Sequence, residues 1–174
     1  MKRRFERLVD AHGGRLFQLA RLMLGRDDEA EDVVQDTLIK LWSHLPRLDA
    51  DDELPWLVTC TRNACLDQLR GRTRRQRLLR LVTGQQRALA AAVDDGPADA
   101  AADGERAREL RRALAAMPEP ARSLLILRDI QELDVATVAR TLALSENQVK
   151  VYTFRARRRL RQRLEEDMHA RQVA

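Results

Sequence analysis

Acids and arginines are the side chains here whose number and spacing could do chemistry, and both come in blocks. Over residues 27–36 every charged residue is an acid: Asp27, Asp28, Glu29, Glu31, Asp32 and Asp36. Over residues 62–80 the order reverses, with Arg62, Arg70, Arg72, Arg74, Arg75, Arg77 and Arg80 around the single acid Asp67. A last basic block, residues 150–163, holds Lys150, Arg155, Arg157, Arg158, Arg159, Arg161 and Arg163 and no acid. The planar guanidinium fork matches phosphate geometry, so blocks of this kind suit a polyanion. The ordinary alternative is a solvated face, favoured near a helix C-terminus by the backbone dipole.

Covalent chemistry finds no foothold in the same inventory. There is no Gly-rich phosphate loop and no Ser or Cys placed beside a base, and His12, His44 and His169 are scattered. No catalytic residue and no cofactor are therefore expected. Cys60 and Cys65 stand five positions apart, which on a helix turns them roughly 140° from one another and disfavours a disulfide. No histidine completes a metal-ligand spacing with them. They read as small apolar residues, and no metal is expected.

The elements that must carry these blocks are helical. Of 174 residues 44% are hydrophobic but only 3% aromatic, a profile for packing on Leu, Val and Ala rather than for a β-sandwich. The fold class expected is all-α, with two small helical domains and a flexible acidic linker between them. Residues 1–90 form the first domain and 105–174 the second. Residues 91–104 make the linker, because a stretch of Ala, Asp, Gly and Pro cannot bury enough apolar surface to order itself. No apolar run is long enough for a membrane span, and the basic start leads into an amphipathic pattern rather than a signal peptide. A cytoplasmic protein without membrane insertion is expected.

In the first domain Phe5, Leu8 and Val9 open an apolar stripe that Leu16, Leu19, Ala20 and Met23 resume after a break at Gly13-Gly14. Ala30, Val33, Val34, Leu38, Leu41, Trp42 and Leu45 recur at helical spacing, with Asp32, Gln35, Asp36 and Ile39 on the opposite face. Pro46 ends that helix, and Pro55 fits the first turn of the next. The latter carries Leu54, Val58, Thr61, Cys65 and Leu69 on one side and Thr59, Asn63, Asp67 and Arg70 on the other. From composition, Trp56 is a core anchor and Asn63 a surface residue. The competing reading is a single-strand site, in which a cationic track works with a stacking ring and an amide that bonds a base edge.

In the second domain Leu110, Ala113, Leu114 and Met117 make a helix stopped by Pro118 and Pro120. The run Leu124-Leu125-Ile126-Leu127 is apolar nearly all round, as a central core helix would be. Val135, Val138, Ala139 and Leu142 form a short helix, and Ser145 with Gln148 starts another through a capping box. Val149, Thr153, Ala156 and Leu160 face inward. Glu146, Asn147, Lys150, Val151, Phe154 and Arg155 face out, and Arg157, Arg158, Arg159, Arg161 and Arg163 follow them. A short helix, a tight turn at Ala143-Leu144 and a basic second helix spell helix-turn-helix. Its outward face would read base edges, while the later arginines would hold phosphates.

Three motifs in this order resemble the extracytoplasmic-function (ECF) group of bacterial RNA polymerase sigma factors. The run AEDVVQDTLIKLW at 30–42 is similar to their polymerase-binding helix. PWLVTCTRNACLDQLR at 55–70 is similar to the promoter-melting helix, and residues 124–160 to the reader of the upstream promoter element. The resemblance implies an alternative sigma factor that binds core RNA polymerase, recognises and melts promoters and starts transcription without catalysis of its own. It implies that Asp32, Gln35, Asp36 and Ile39 dock on the polymerase. It places Trp56, Arg62, Asn63 and Arg70 on melted DNA, with Asn63 holding a flipped base. Asn147, Lys150, Val151, Phe154, Arg155 and Arg158 would meet the duplex. An anti-sigma factor that hides these faces is the further partner implied. The alternative to all of this is a stand-alone helix-turn-helix regulator.

Several positions depart from the family pattern, among them Val151-Tyr152, which replaces a more polar pair, and the basic tail after Arg72, which runs longer. Asp134 stands where Ser or Thr usually caps the first helix of the turn motif, and it can cap equally well. Ala143 replaces the turn glycine, so its backbone must avoid a left-handed geometry or accept strain. Thr153 takes an inward position that is normally Leu-like.

Overall fold

A computed structural model describes the backbone of residues 1–83 and 104–173, and every structured element in it is helical. The linker expected over 91–104 lies, apart from Gly104, outside the described residues. Three long helices build the first half: α1 (Lys2–Leu24), α2 (Asp27–His44) and α3 (Glu53–Thr83). The second half has α4 (Glu105–Ala115), α5 (Ala121–Leu125), α6 (Val135–Leu142) and α7 (Glu146–Val173). From α5 the chain runs straight on as a π-helical stretch, Ile126–Ile130.

The break expected at Gly13-Gly14 does not exist: α1 passes through both glycines without interruption. Two mid-helix glycines cost about 2 kcal/mol relative to alanine. Against this, Leu8, Leu16, Leu19, Ala20 and Met23 are all buried on one stripe against α2 and α3. A fully buried Leu contributes about 2 kcal/mol, so the stripe outweighs the glycines several times over. The helix stops where Gly25 turns left-handed (φ 77°) and its N–H closes on the Arg21 carbonyl.

Helix α2 starts with Asp27, Asp28 and Glu29 in its first turn, where the dipole favours acids. It ends at His44, and Pro46 lies in the short 3₁₀ turn Leu45–Arg47 that follows. Ala30, Val33 and Leu41 are buried, but Trp42 is not: it is 43% exposed and meets Phe5 edge-on, ring centroids 5.2 Å apart. The apolar period holds through Leu41 and again at Leu45, which is buried; Trp42 lies at the rim of the stripe, where its ring is only half covered. Arg4 ties the start of α1 to the loop before α3, donating from Nε to Glu53 Oε1 at 2.7 Å and to the carbonyls of Leu45 and Leu48.

In the second half Leu124, Leu125, Ile126 and Leu127 are all buried at the centre, as their apolar run requires. Asp134 caps α6 by accepting from the Thr137 backbone N–H at 2.8 Å and its hydroxyl at 2.7 Å. Both bonds pull the Asp134 carboxyl below the usual carboxylate range. Ser145 and Gln148 form the reciprocal capping box at the start of α7. Between the two helices Ala143 accepts the strain, with φ 53° and ψ 43°. An L-residue there costs about 1–2 kcal/mol.

The halves touch. Helix α6 lies against α3, and α4 and the π-helical stretch lie against α1. Polar side chains cross this contact from both sides, Arg15 and Arg62 from the first half and Arg122 and Arg140 from the second.

Candidate nucleic-acid interface

Helix α2 presents its polar face to solvent. Asp32, Gln35 and Asp36 are not buried, and Ile39 is 66% exposed beside them. The face is therefore an acidic stripe with one apolar side chain in water. The first three acids of the block pair within the fold. Asp28 accepts from Arg26, Glu29 from Arg72, and Asp27 pairs with Arg21 at 2.9 Å. Arg26 lowers the Asp28 carboxyl through the hydrogen bond it donates.

Helix α3 carries an open groove of about 980 Å³, lined by Arg62, Asn63, Leu66, Asp67, Leu69, Arg70, Thr73, Arg74, Arg77 and Glu119. Asn63 is exposed at its edge. Arg70 is exposed too, and its 2.9 Å pair with Asp67 is open to water on both sides, so it holds the guanidinium only weakly. The groove unites Asn63, Arg62 and Arg70. Trp56 does not line it: the ring packs against His44 at 5.2 Å and against the core, as composition suggests. Two further cations, Arg74 and Arg77, extend the groove along the helix beyond the residues named from sequence. Their signal was the arginine block itself, whose helical phase puts 70, 74 and 77 on one side.

Arg62 is not free. Its Nε donates to Ser123 Oγ at 2.7 Å and its Nη2 to Glu119 Oε2 at 3.1 Å, both from the second half of the chain. Ser123 Oγ in turn donates to the same Glu119 oxygen at 2.5 Å. The carboxylate of Glu119 thus stands inside a groove whose cations are all arginines. Sequence periodicity gives no sign of this, because the pairing spans 57 positions and joins the two halves.

Helix α7 separates a buried stripe from an exposed basic face. Val149, Thr153 and Ala156 are buried, while Asn147, Lys150, Val151, Phe154, Arg155 and Arg158 are exposed. Phe154 is 69% exposed, which leaves a large ring in water for no packing gain within the domain. Arg157, expected on phosphate, grips Asp129 with two nitrogens at 2.9 and 2.5 Å. The Thr153 hydroxyl is buried with no hydrogen-bond partner among the described residues.

Cys65 is fully buried, and desolvation pushes its thiol up to about 12; burial also raises Cys60. Neither is a nucleophile at neutral pH. Among the described residues no cluster of three His, Cys, Asp or Glu is placed to hold a metal, and no helix is long and apolar enough to cross a membrane.

A capped helix-turn-helix with a basic outward face, joined in one chain to a helical half bearing an arginine groove, defines a helical DNA-binding protein of transcription. Residues 8–75 match the family model Sigma-70 region 2, and residues 107–160 match Sigma-70, region 4. The ECF RNA polymerase sigma factor SigM of Mycobacterium tuberculosis (strain ATCC 25618 / H37Rv) is 31% identical over 158 residues, covering 90% of this chain and 74% of that protein. SigW of Bacillus subtilis (strain 168), also an ECF RNA polymerase sigma factor, is 27% identical over 165 residues, 92% and 88% of the two chains. Among solved structures, the sigma factor RpoE in complex with the anti-sigma factor NepR from Bartonella quintana superposes with a TM-score of 0.70 at 26% identity, covering 93% of this chain and 96% of that one. CnrH in complex with the cytosolic domain of CnrY gives 0.69 at 27% identity, covering 96% and 91%. The chain belongs to the ECF RNA polymerase sigma factors, and is an alternative sigma factor that serves transcription initiation.

Proposed function

We propose that this sigma factor divides its work among three surfaces on three helices. Asp32, Gln35, Asp36 and Ile39 on α2 dock on core RNA polymerase. Arg62, Asn63 and Arg70 on α3 hold the separated strand, with Arg74 and Arg77 extending the track and Trp56 supporting the helix from behind. Asn147, Lys150, Val151, Phe154, Arg155 and Arg158 on α7 read the upstream duplex. The domains that carry these roles are residues 1–90 and 105–174, joined by 91–104. The observation that carries the reading is the opposition of charge: an acidic face with an exposed Ile39, and two separate cationic surfaces.

Binding energy does the work, with no covalent step and no cofactor. An amide both donates and accepts, so Asn63 can bond the edge of an unpaired base, while guanidiniums along the groove neutralise the strand's phosphates. Melting proceeds because these contacts exist only with the separated strand. Such a protein acts in the cytoplasm, where polymerase and promoters are. The same three faces suit an anti-sigma partner, a reading supported by the complexes in which the structural neighbours RpoE and CnrH were solved.

Replacing Asn63 by Ala tests the groove. Open-complex formation, followed by permanganate reactivity of unpaired thymines, is expected to fall about tenfold, the value of one good base contact. Closed-complex binding in a gel shift should be unchanged. Equal losses in both assays would show that Asn63 does not contact the melted strand.

A further inference from the structure

We propose that Glu119 is a built-in competitor for the melted strand, occupying Arg62 in place of a DNA phosphate while the two halves of the chain are closed on each other. The inference rests on the strand-binding reading of the α3 groove. Three features of the closed form support it.

The first is the chemistry of the contact. Arg62 gives Glu119 Oε2 a charge-assisted bond at 3.1 Å, and Ser123 donates to that same oxygen at 2.5 Å. The Arg62 side chain keeps only 15% of its surface. A carboxylate oxygen held by a guanidinium and a hydroxyl is in the environment that a protein offers a backbone phosphate. Glu119 therefore removes one cation from the groove and adds one anion to it.

The second is that the closure is specific. Arg122, three residues on, is 7% exposed and reaches into the first half, donating from Nη2 to the carbonyls of Leu22 and Met23 at 3.0 and 2.5 Å. Those carbonyls end α1 and have no partner within the helix, and the dipole there favours a cation. Arg15 and Gln131 exchange two further hydrogen bonds, at 3.0 and 2.7 Å, and Arg140 pairs with Asp52 at 2.9 Å.

The third is that the closure can open. These cross-links are polar, and two of them, Arg62–Glu119 and Arg140–Asp52, keep contact with water. Arg122 Nε is buried without a partner among the described residues and regains water on opening. The recognition face of α7 stays exposed in the closed form, so closure takes one cation from the melted-strand groove and leaves the duplex reader free. Docking on polymerase, or any partner that spreads the halves, then frees Arg62.

The test measures the full chain binding a fluorescent single-stranded oligonucleotide of about a dozen nucleotides by anisotropy. Glu119→Ala should bind about tenfold tighter, and its affinity should fall more steeply with salt, by about 0.7 in the log–log slope for the one phosphate that Arg62 then neutralises. In an Arg62→Ala background the same change should bring only the small tightening that comes from one anion fewer in the groove. Glu6→Ala, which removes an equal charge outside the groove, should leave the affinity unchanged. Arg122→Ala should enlarge the radius of gyration in solution scattering and tighten strand binding in parallel. Unchanged affinity in Glu119→Ala, or a tightening of the same size without Arg62, overturns the competitor. If Arg62→Ala and Asn63→Ala both leave strand affinity untouched, the strand-binding reading itself has failed.

Discussion

At the scale of single residues, Thr153 shows what an inward position in α7 asks for and does not get. It is buried, but its hydroxyl finds no acceptor or donor among the described residues. A buried hydroxyl without a partner costs about 1–3 kcal/mol in lost hydration. Thr153→Val keeps the shape and removes the polar atom. It should raise the stability of the full chain by about 1 kcal/mol, read as a higher urea midpoint at unchanged slope. A lower midpoint would show that the hydroxyl is bonded in solution. The helical period alone assigns Thr153, Val149 and Ala156 to the core, but the hydroxyl's isolation depends on which atoms surround it, and no sequence pattern carries that. Trp56 makes the same point from the other direction. Its family position lies near strand separation, yet its ring rests on His44 and the core, away from the arginine groove.

At the scale of elements, caps and periods are the strongest guides. Asp134, Ser145 with Gln148, Pro46 and Pro55 all act where their local chemistry says they should, because capping is settled within four residues. Gly13-Gly14 misleads for the complementary reason: an intrinsic preference of about 1 kcal/mol per glycine gives way to a long buried stripe. Position along α7 separates two kinds of cation, and this predicts different outcomes. Lys150 sits early in the helix on the exposed face beside Phe154 and Val151, so Lys150→Ala should relax preference for the upstream element in a competitive binding selection. Arg161 lies beyond the base-reading stretch. Arg161→Ala should weaken binding to every duplex alike and reduce the log–log salt slope by about one. Equal weakening of all duplexes by Lys150→Ala would put the reading face elsewhere on the helix.

At the scale of the molecule, the ordered trio of motifs makes the class legible, since the three share no helix and each keeps its own charge. The contact between the halves is not legible. Arg62 with Glu119, Arg122 with the end of α1, and Arg15 with Gln131 join residues 57 to 116 positions apart. Their side chains are of types that would be equally at home in water. Only the packing of α6 on α3 and of α4 on α1 brings them together. That packing also sets Glu119 of the second half on Arg62 in the groove of α3.

The division of surfaces is tested most directly by affinity for purified core RNA polymerase. The double variant Asp32→Ala, Asp36→Ala alters solvent-facing side chains on the polar side of α2, away from its buried stripe, so the fold should stand. Its affinity for core should fall at least about tenfold in a quantitative pull-down, while binding of α7 to a duplex of the upstream element stays at the wild-type level. Core affinity equal to that of the unaltered chain would contradict the account, because the acidic face would then have no part in joining the polymerase.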